Sequence, residues 1–464
     1  MDVIEEMRRV VGPGNVLTKK EDILPYMRDA SYLSGGEPLA VVIPGTTTEL
    51  AKVVKACYEA EVPMYVRGGG TSLTGSSVPL EGGVVISMNR FDKILEVSVP
   101  DRYVVAEAGV RLDALNAYLS KFRYFYPPDP ASSLAATVGG SLSTNAGGMR
   151  GAMYGATKEW VLGMEVVLPT GEVAQFGGRV LKRSIGYDLT ALMIGSEGTL
   201  GIITKATLKI TPLPRRTGRI LAYYKSIEDA GKVVARLTEN GIIPYIAEFM
   251  DGIAMDAAKK SKGIDYPSEA NYMMIIDIAS TEESIKKDLE SAADAIRTTN
   301  PLHVRITTDP EEMDRIYQAR KGLYSSLLME RARPGEKVII GDVVVPPTEV
   351  PSTLVDLDGA IKRYGFKVSL FGHIGDGNVH LNIFANADDE EEMRRVSEFL
   401  LETGMIAVRH GGSVSAEHGI GLEKKQLLVE EFKARGTPVN LELMRQLKKV
   451  FDPKNLLNRG KLFD

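Results

Sequence analysis

Short apolar, β-branched runs alternate with amphipathic stretches of helical spacing along the N-terminal half of the chain. After the turn-forming Tyr32-Leu33-Ser34-Gly35-Gly36-Glu37-Pro38, Ala40-Val41-Val42-Ile43-Pro44 reads as a strand. Thr46-Thr47-Thr48-Glu49 carries an N-cap signature, and Leu50, Val53, Val54 and Cys57 then share one face of a predicted helix that ends by Glu61-Val62-Pro63. Met64-Tyr65-Val66 and the run 82–88 predict two more strands. Pro212-Leu213-Pro214-Arg215-Arg216 reads as a linker. Beyond it the strand-like runs 219–224 and 272–278 alternate with charged amphipathic segments, a pattern that predicts a sheet with helices on one face. Residues 282–297 form the clearest helix there, with Ser280 and Thr281 available as N-caps. The acidic run 388–392 reads as the first turn of a solvated helix, and His410 before Gly411-Gly412 as a helix C-terminus. His303, in a strand-like run, reads as structural.

Two glycine-rich stretches interrupt this pattern. Arg67-Gly68-Gly69-Gly70-Thr71-Ser72 follows a strand, and its small residues let backbone N–H groups crowd around an anion, most plausibly a pyrophosphate; taken alone, an ordinary surface turn explains it equally well. The loop leads into a strand rather than a helix, so it is not a Rossmann fingerprint, and no P-loop motif is present. The second stretch runs over residues 127–148, from Pro127-Pro128-Asp129-Pro130 to Asn145-Ala146-Gly147-Gly148. Two such stretches predict a long, extended ligand.

Candidate chemistry centres on Phe371-Gly372-His373-Ile374-Gly375-Asp376-Gly377-Asn378-Val379-His380. Asp-Gly between alternating apolar runs predicts a type I′ hairpin with Asp376 and Gly377 at its tip. In that register His373 falls opposite His380, with Cβ atoms about 4.5–5.5 Å apart on one face. The chain holds only 5 His, and Glu417-His418 sits between small residues further on. His373, His380 and Glu417 make a ligand set that leaves a metal position open, as catalytic sites do, and mixed nitrogen and oxygen donors suit zinc, manganese or iron(II).

Composition narrows the function classes. At 464 residues the chain has room for several domains, its formal net charge of −5 carries no long basic run, and a nucleic-acid partner is not expected. The single cysteine, Cys57, excludes an intrachain disulfide and a Cys-ligated iron–sulfur cluster within this chain. With an acidic N-terminal segment and no apolar run of membrane length, the expected location is the cytoplasm, with a peripheral position at the inner face of a membrane left open.

Several motifs together resemble a known family. The Arg67–Ser72 loop, the 127–148 block and Asp188-Leu189-Thr190 through Gly195-Ser196-Glu197-Gly198-Thr199-Leu200-Gly201-Ile202 are similar to the FAD-binding domain of the vanillyl-alcohol oxidase and p-cresol methylhydroxylase superfamily. Residues 371–380, 415–421 and the closing 451–461 resemble its D-lactate dehydrogenase and glycolate oxidase D-subunit branch. The resemblance implies an α+β fold: a two-subdomain FAD-binding domain over 1–214, a substrate or cap domain with a large antiparallel sheet over 215–415, and a C-terminal segment over 416–464 that returns to the flavin. It implies FAD contacts from Arg67, Gly68, Gly69, Gly70, Thr71 and Ser72, then from Pro128, Asp129, Thr137, Gly140, Ser143, Asn145, Gly147 and Gly148. It adds Glu197, Gly198, Gly201, Ile202 and Asn458. Covalent relatives carry a flavin-bonding histidine where this loop has none, so noncovalent FAD is expected.

An alcohol carbon gives up a hydride that no side chain accepts, so a redox cofactor is required, and in the resembled family it is FAD through N5. The hydroxyl proton needs a base, and His418 is the candidate from both its surroundings and the family's pattern, against the plain alternative of a histidine holding a glycine turn. Arg320, with Tyr324 four residues on, is the candidate for the substrate carboxylate, although a solvated helical arginine is nearly as well supported. Asn378 is a candidate substrate hydrogen-bonder with an equally good conformational explanation. The resemblance alone implies D-stereochemistry. Relatives that oxidise 2-hydroxyglutarate have a lysine where this sequence has Ile340, which favours a short acid such as D-lactate or glycolate. The rival readings are a D-2-hydroxyglutarate dehydrogenase, a flavin-carrying subunit of a multi-subunit glycolate oxidase, an alkyl-dihydroxyacetone-phosphate synthase and a metallohydrolase. The electron acceptor stays open between oxygen, a quinone and a separate iron–sulfur subunit, and a homodimer is left open too.

Overall fold

The computed structural model describes residues 2–80 and 82–463. Local chemistry places its elements much as the pattern predicts. The helix Thr47–Glu59 starts at Thr46, whose side chain accepts from the Glu49 N–H, and it buries Leu50, Val53, Val54 and Cys57. The helix Ile285–Arg297 begins after Ser284, a few residues later than expected, because residues 281–284 form a turn in which Thr281 Oγ1 accepts from Ser284 N. Asp389 caps the helix Glu390–Arg409 by accepting from Glu392 N, with His410 at the other end.

By Cα packing the chain divides into two units, one formed by Met1–Gly147, Ala156–Leu213 and Glu417–Asp464 and the other by Gly148–Gly155 and Pro214–Ala416.

In the first unit, β1 (Val16–Leu17), β2 (Ala40–Val42), β3 (Met64–Arg67) and β4 (Val84–Ser87) form a sheet of order β1-β2-β4-β3, parallel from β2 to β3. Further along lie β5 (Ile94–Ser98), β6 (Tyr103–Glu107), β7 (Tyr124–Phe125), β8 (Val161–Val167), β9 (Val173–Gly177), β10 (Ile202–Lys209) and β11 (Thr211–Pro212). Of these, β5-β6-β10-β8-β9 make an antiparallel sheet, and β7 pairs with β11. The helix Thr47–Glu59 and strands of both larger sheets share one apolar core. The C-terminal segment joins this unit by backbone pairing, since Met64 N donates to Leu456 O (2.8 Å) and Asn458 N to Met64 O (2.7 Å).

The second unit is built on β12 (Arg216–Tyr224), β13 (Ile246–Asp251), β14 (Tyr272–Ser280), β15 (His303–Thr307), β16 (Glu336–Val344), β17 (Lys367–Gly372) and β18 (Asn378–Asn386). They form one antiparallel seven-stranded sheet of order β15-β12-β14-β13-β17-β18-β16. Its central strand β13 is buried at every position, and the sheet packs with the helices Gly252–Lys262, Pro310–Lys321 and Leu323–Leu328.

One sequence expectation is corrected here. The connection from β17 to β18 is not a two-residue type I′ turn. A 3₁₀ turn over Ile374–Asp376 ends at Gly377, whose φ of 85° favours glycine, and Gly377 N and Asn378 N donate back to Ile374 O and His373 O. The longer turn moves the register by two residues, so Phe371 rather than His373 pairs with His380. A shift of two keeps every side chain on its face. His373, just beyond the strand, still meets His380, with ring centroids 5.2 Å apart and planes at 86°.

Candidate active site

In the seven-stranded unit, chemistry-bearing side chains from four strands and one helix converge. His373 Nδ1 lies 2.8 Å from Glu248 Oε1, and the other oxygen of that carboxylate lies 2.5 Å from Arg320 Nη2. Glu248 is wholly buried in β13, with His373 and Arg320 nearly so. Arg320 lies in the last turn of the helix Pro310–Lys321 with its guanidinium carbon 4.6 Å from the centre of the Phe371 ring, and Phe371 in turn meets His380 edge-on. Tyr324, one turn further on, packs against the same apolar cluster.

A second carboxylate backs the other histidine. Asp342 of β16 pairs in register with His380, and its Oδ1 lies 3.3 Å from His380 Nδ1. Asp342 also accepts from Asn378 Nδ2 (2.8 Å) and from the Ala416 N–H (2.9 Å). Asn378 Nδ2 donates to Val343 O as well, so both hydrogens of that amide are directed at β16. The structure therefore groups His373, His380, Arg320 and Asn378 about Glu248 and Asp342. The sequence reading gave no role to either carboxylate. For Glu248 the available signal was an acidic residue between apolar neighbours, in Ile246-Ala247-Glu248-Phe249-Met250.

The remaining candidates, Gly148 apart, lie in the first unit. The glycine loop and the second small-residue block meet directly: a Cβ added at Gly69 would collide with the Ala135 carbonyl, and one at Gly68 would lie 2.5 Å from Thr137 Oγ1. Thr137 caps the helix Val138–Thr144, and Asn145 ends it in the left-handed region. Ser143 O accepts from Glu197 N, tying this block to the Gly195–Ile202 segment, in which Gly198, Gly201 and Ile202 are buried. Pro128 and Asp129 are buried as well. Ser72 Oγ accepts from Thr74 N and Ser76 N, and Arg67 donates to Arg28 O. Gly140 N donates to Thr137 Oγ1. Gly148 belongs by packing to the other unit.

Glu197 gathers these loops. Its carboxylate accepts from Ile420 N (2.6 Å), Gly421 N (2.8 Å) and Ser76 Oγ, and its backbone carbonyl accepts from Asn458 Nδ2 (2.7 Å). Burial pushes its pKa up, against the pull of Ser76, the two amides and Lys461. His418 belongs to the same loop: its carbonyl accepts from Thr74 Oγ1 (3.2 Å), and its Nε2 stands 3.8 Å from Glu417 Oε1. A Cβ at Gly147 would come within 2.7 Å of Glu417 Oε2, so the second glycine block closes against Glu417. Trp160 is half-buried, with Lys209 Nζ 5.5 Å from its ring centre.

Comparison with known proteins supplies the family. Residues 38–177 match the FAD binding domain, and residues 213–462 match the C-terminal domain of FAD linked oxidases. The chain belongs to the FAD-linked oxidases. This FAD-linked oxidase is 34% identical over 463 residues to the glycolate oxidase subunit GlcD of Bacillus subtilis (strain 168), covering 100% of this chain and 97% of that protein. It is also 34% identical over 470 residues to a D-lactate dehydrogenase of Anaerostipes hadrus, covering 99% and 97%. In fold it is similar to p-cresol methylhydroxylase, with a TM-score of 0.81 at 18% identity over 100% of this chain and 96% of that one. The oxidase thus has the α+β FAD-binding architecture and antiparallel cap sheet that the resemblance implied. Its glycine loop, held against Ala135 and Thr137 without intervening side chains, fits the close backbone approach that a dinucleotide requires. Among the described residues no helix is long and apolar enough to cross a membrane.

Proposed function

We propose that this oxidase converts a short D-2-hydroxy acid, D-lactate or glycolate, into the 2-oxo acid. The observation that carries the reading is the buried group His373, His380 and Arg320 around Glu248, which provides imidazole donors and a carboxylate-binding cation together. Two relatives whose names are glycolate oxidase subunit and D-lactate dehydrogenase, each alike over nearly the whole chain, support the substrate class.

When bound, noncovalent FAD supplies the hydride acceptor, and a divalent ion (zinc, manganese or iron(II)) on His373, His380 and Glu417 supplies Lewis acidity toward the substrate oxygens. The donor chemistry of those side chains suits such an ion, and Glu417 follows directly on Ala416, whose N–H is anchored by Asp342. His418 takes the hydroxyl proton. Arg320 receives the substrate carboxylate, assisted by Tyr324. Asn378 contributes through Oδ1, because its amide hydrogens are directed at Asp342 and Val343. Ile340, buried in β16, offers no charge to a second substrate carboxylate, which favours the short acids over D-2-hydroxyglutarate.

A second reading, a flavin-carrying subunit of a larger glycolate oxidase, is favoured by the word subunit in the relatives' names and by the single cysteine, which leaves any iron–sulfur relay to another chain. Anaerobic addition of D-lactate, glycolate, L-lactate and D-2-hydroxyglutarate, followed by flavin absorbance, tests the proposed oxidation and the length of its substrate. Bleaching by D-lactate or glycolate supports the proposal. A flavin that only D-2-hydroxyglutarate bleaches assigns the longer substrate, and one that no acid bleaches overturns the proposed oxidation.

A further inference from the structure

Resting on that reading of the histidine pair, we propose that Glu248 is a positioning residue that fixes the tautomer of His373 and couples it to the placement of Arg320. One carboxylate, fully buried in the central strand of the sheet, reaches both groups: Oε1 lies 2.8 Å from His373 Nδ1 and Oε2 lies 2.5 Å from Arg320 Nη2. An ionised carboxylate only accepts, so a neutral His373 hydrogen-bonded to it carries its proton on Nδ1 and its lone pair on Nε2. In that tautomer Nε2 carries the lone pair with which an imidazole ligates a metal. A carboxylate behind a ligating histidine sets ring orientation and raises ligand basicity, and its loss typically costs about 10–100-fold in metal affinity.

The arrangement around His380 shows what is particular to Glu248. Asp342 stands 3.3 Å from His380 Nδ1 and is shared with the Asn378 amide and the Ala416 N–H. Glu248 is shared instead with a cation. Moving its carboxylate moves the imidazole and the guanidinium together, so the metal donor and the cation that meets the substrate carboxylate are set by one side chain. Arg320 stacked over Phe371, which touches His380, closes the group on the other side.

The test uses the full-length protein labelled with ¹⁵N-histidine, whose 5 imidazoles are few enough to assign. In the metal-stripped protein, long-range ¹H–¹⁵N correlation should report His373 protonated on Nδ1. Glu248→Gln keeps the side chain's shape but offers an amide, and it should redistribute the His373 tautomer and weaken zinc or manganese binding about 10–100-fold with FAD content unchanged. Glu248→Asp should restore the Nδ1–H tautomer in part. A wild-type His373 protonated on Nε2, or a Glu248→Gln protein with unchanged tautomer and metal affinity, overturns the proposal. If the wild-type protein takes up no divalent metal, the metal assignment falls by itself, and the tautomers of wild type and Glu248→Gln still decide the role of Glu248.

Discussion

Buried carboxylates are satisfied in two contrasting ways, seen in Glu197 of one unit and Glu248 of the other. In the flavin-type unit Glu197 is held by backbone N–H groups and a hydroxyl from loops distant in sequence, so the carboxylate works as a tie between loops. In the seven-stranded unit Glu248, Asp277 and Asp342 sit on strands and face charged or polar side chains: Arg320 and His373, Arg219, and Asn378 and His380. The first arrangement organises a cradle of backbone. The second presents side chains with fixed orientation. A dinucleotide lying along glycine loops needs the former, and proton or metal chemistry needs the latter.

The largest effects should come from removing a strand carboxylate. Glu248→Ala and Asp277→Ala each leave a buried arginine without its counterion, an uncompensated charge that costs about 3–5 kcal/mol. Chemical denaturation should show similar losses for both. They should part in function: Asp277→Ala, whose partner Arg219 also donates to Met313 O, should keep substrate bleaching of the flavin per folded molecule, and Glu248→Ala should lose it. Equal behaviour of the two would erase the distinction between structural and site-forming charge pairs in this sheet.

The next effect belongs to the loop unit and depends on pH. Burial raises the Glu423 carboxyl from its ordinary value to about 7, with Asp29 adding to the rise and Lys424 opposing it. Because the folded pKa lies above the unfolded one, its favourable contribution is complete below about pH 4.5 and fades as pH rises through about 7. Glu423→Gln should therefore match the wild type at pH values below about 4 and exceed it at pH 8 by on the order of 3 kcal/mol in denaturation of the flavin-free chain. An equal gain at both pH values would show that packing, not ionisation, is responsible.

Gly69→Ala pushes a methyl group into the Ala135 carbonyl, and a crowding cost of about 1–3 kcal/mol follows. Its expected signature is a fall in FAD retained through gel filtration while metal content holds. The smallest effect is at His410, which pairs with Asp356 and Glu349 at a helix C-terminus and has its pKa raised by them. Its contribution is present below the ordinary histidine pKa and lost as pH rises through the raised folded value. At this solvent-facing site it amounts to a few tenths of a kcal/mol, measurable as a smaller pH dependence of Tm in His410→Gln.

The same contrast explains what was legible in the sequence. The helix Thr47–Glu59, the strands β2 to β4 and the glycine blocks could be read because local caps, periodicity and small-residue runs act within a few residues. The convergence of His373 and His380 was read correctly from a turn that does not form as drawn, because a slip of two residues preserves strand faces. Glu248 was missed because its role depends on β13 lying beside β17, a pairing between segments 125 residues apart that no local pattern encodes. Asp342 lies beyond the reach of local patterns for the same reason. Its ties to Asn378 and Ala416 arise from the β16–β18 register.

The division of labour itself, flavin in the glycine loops and metal on the sheet histidines, is tested most directly by metal and flavin stoichiometry of His380→Ala measured on one purified sample. The account predicts that bound zinc, manganese or iron falls to background while FAD stays at the wild-type ratio. Retention of the metal, or loss of flavin together with it, would contradict it.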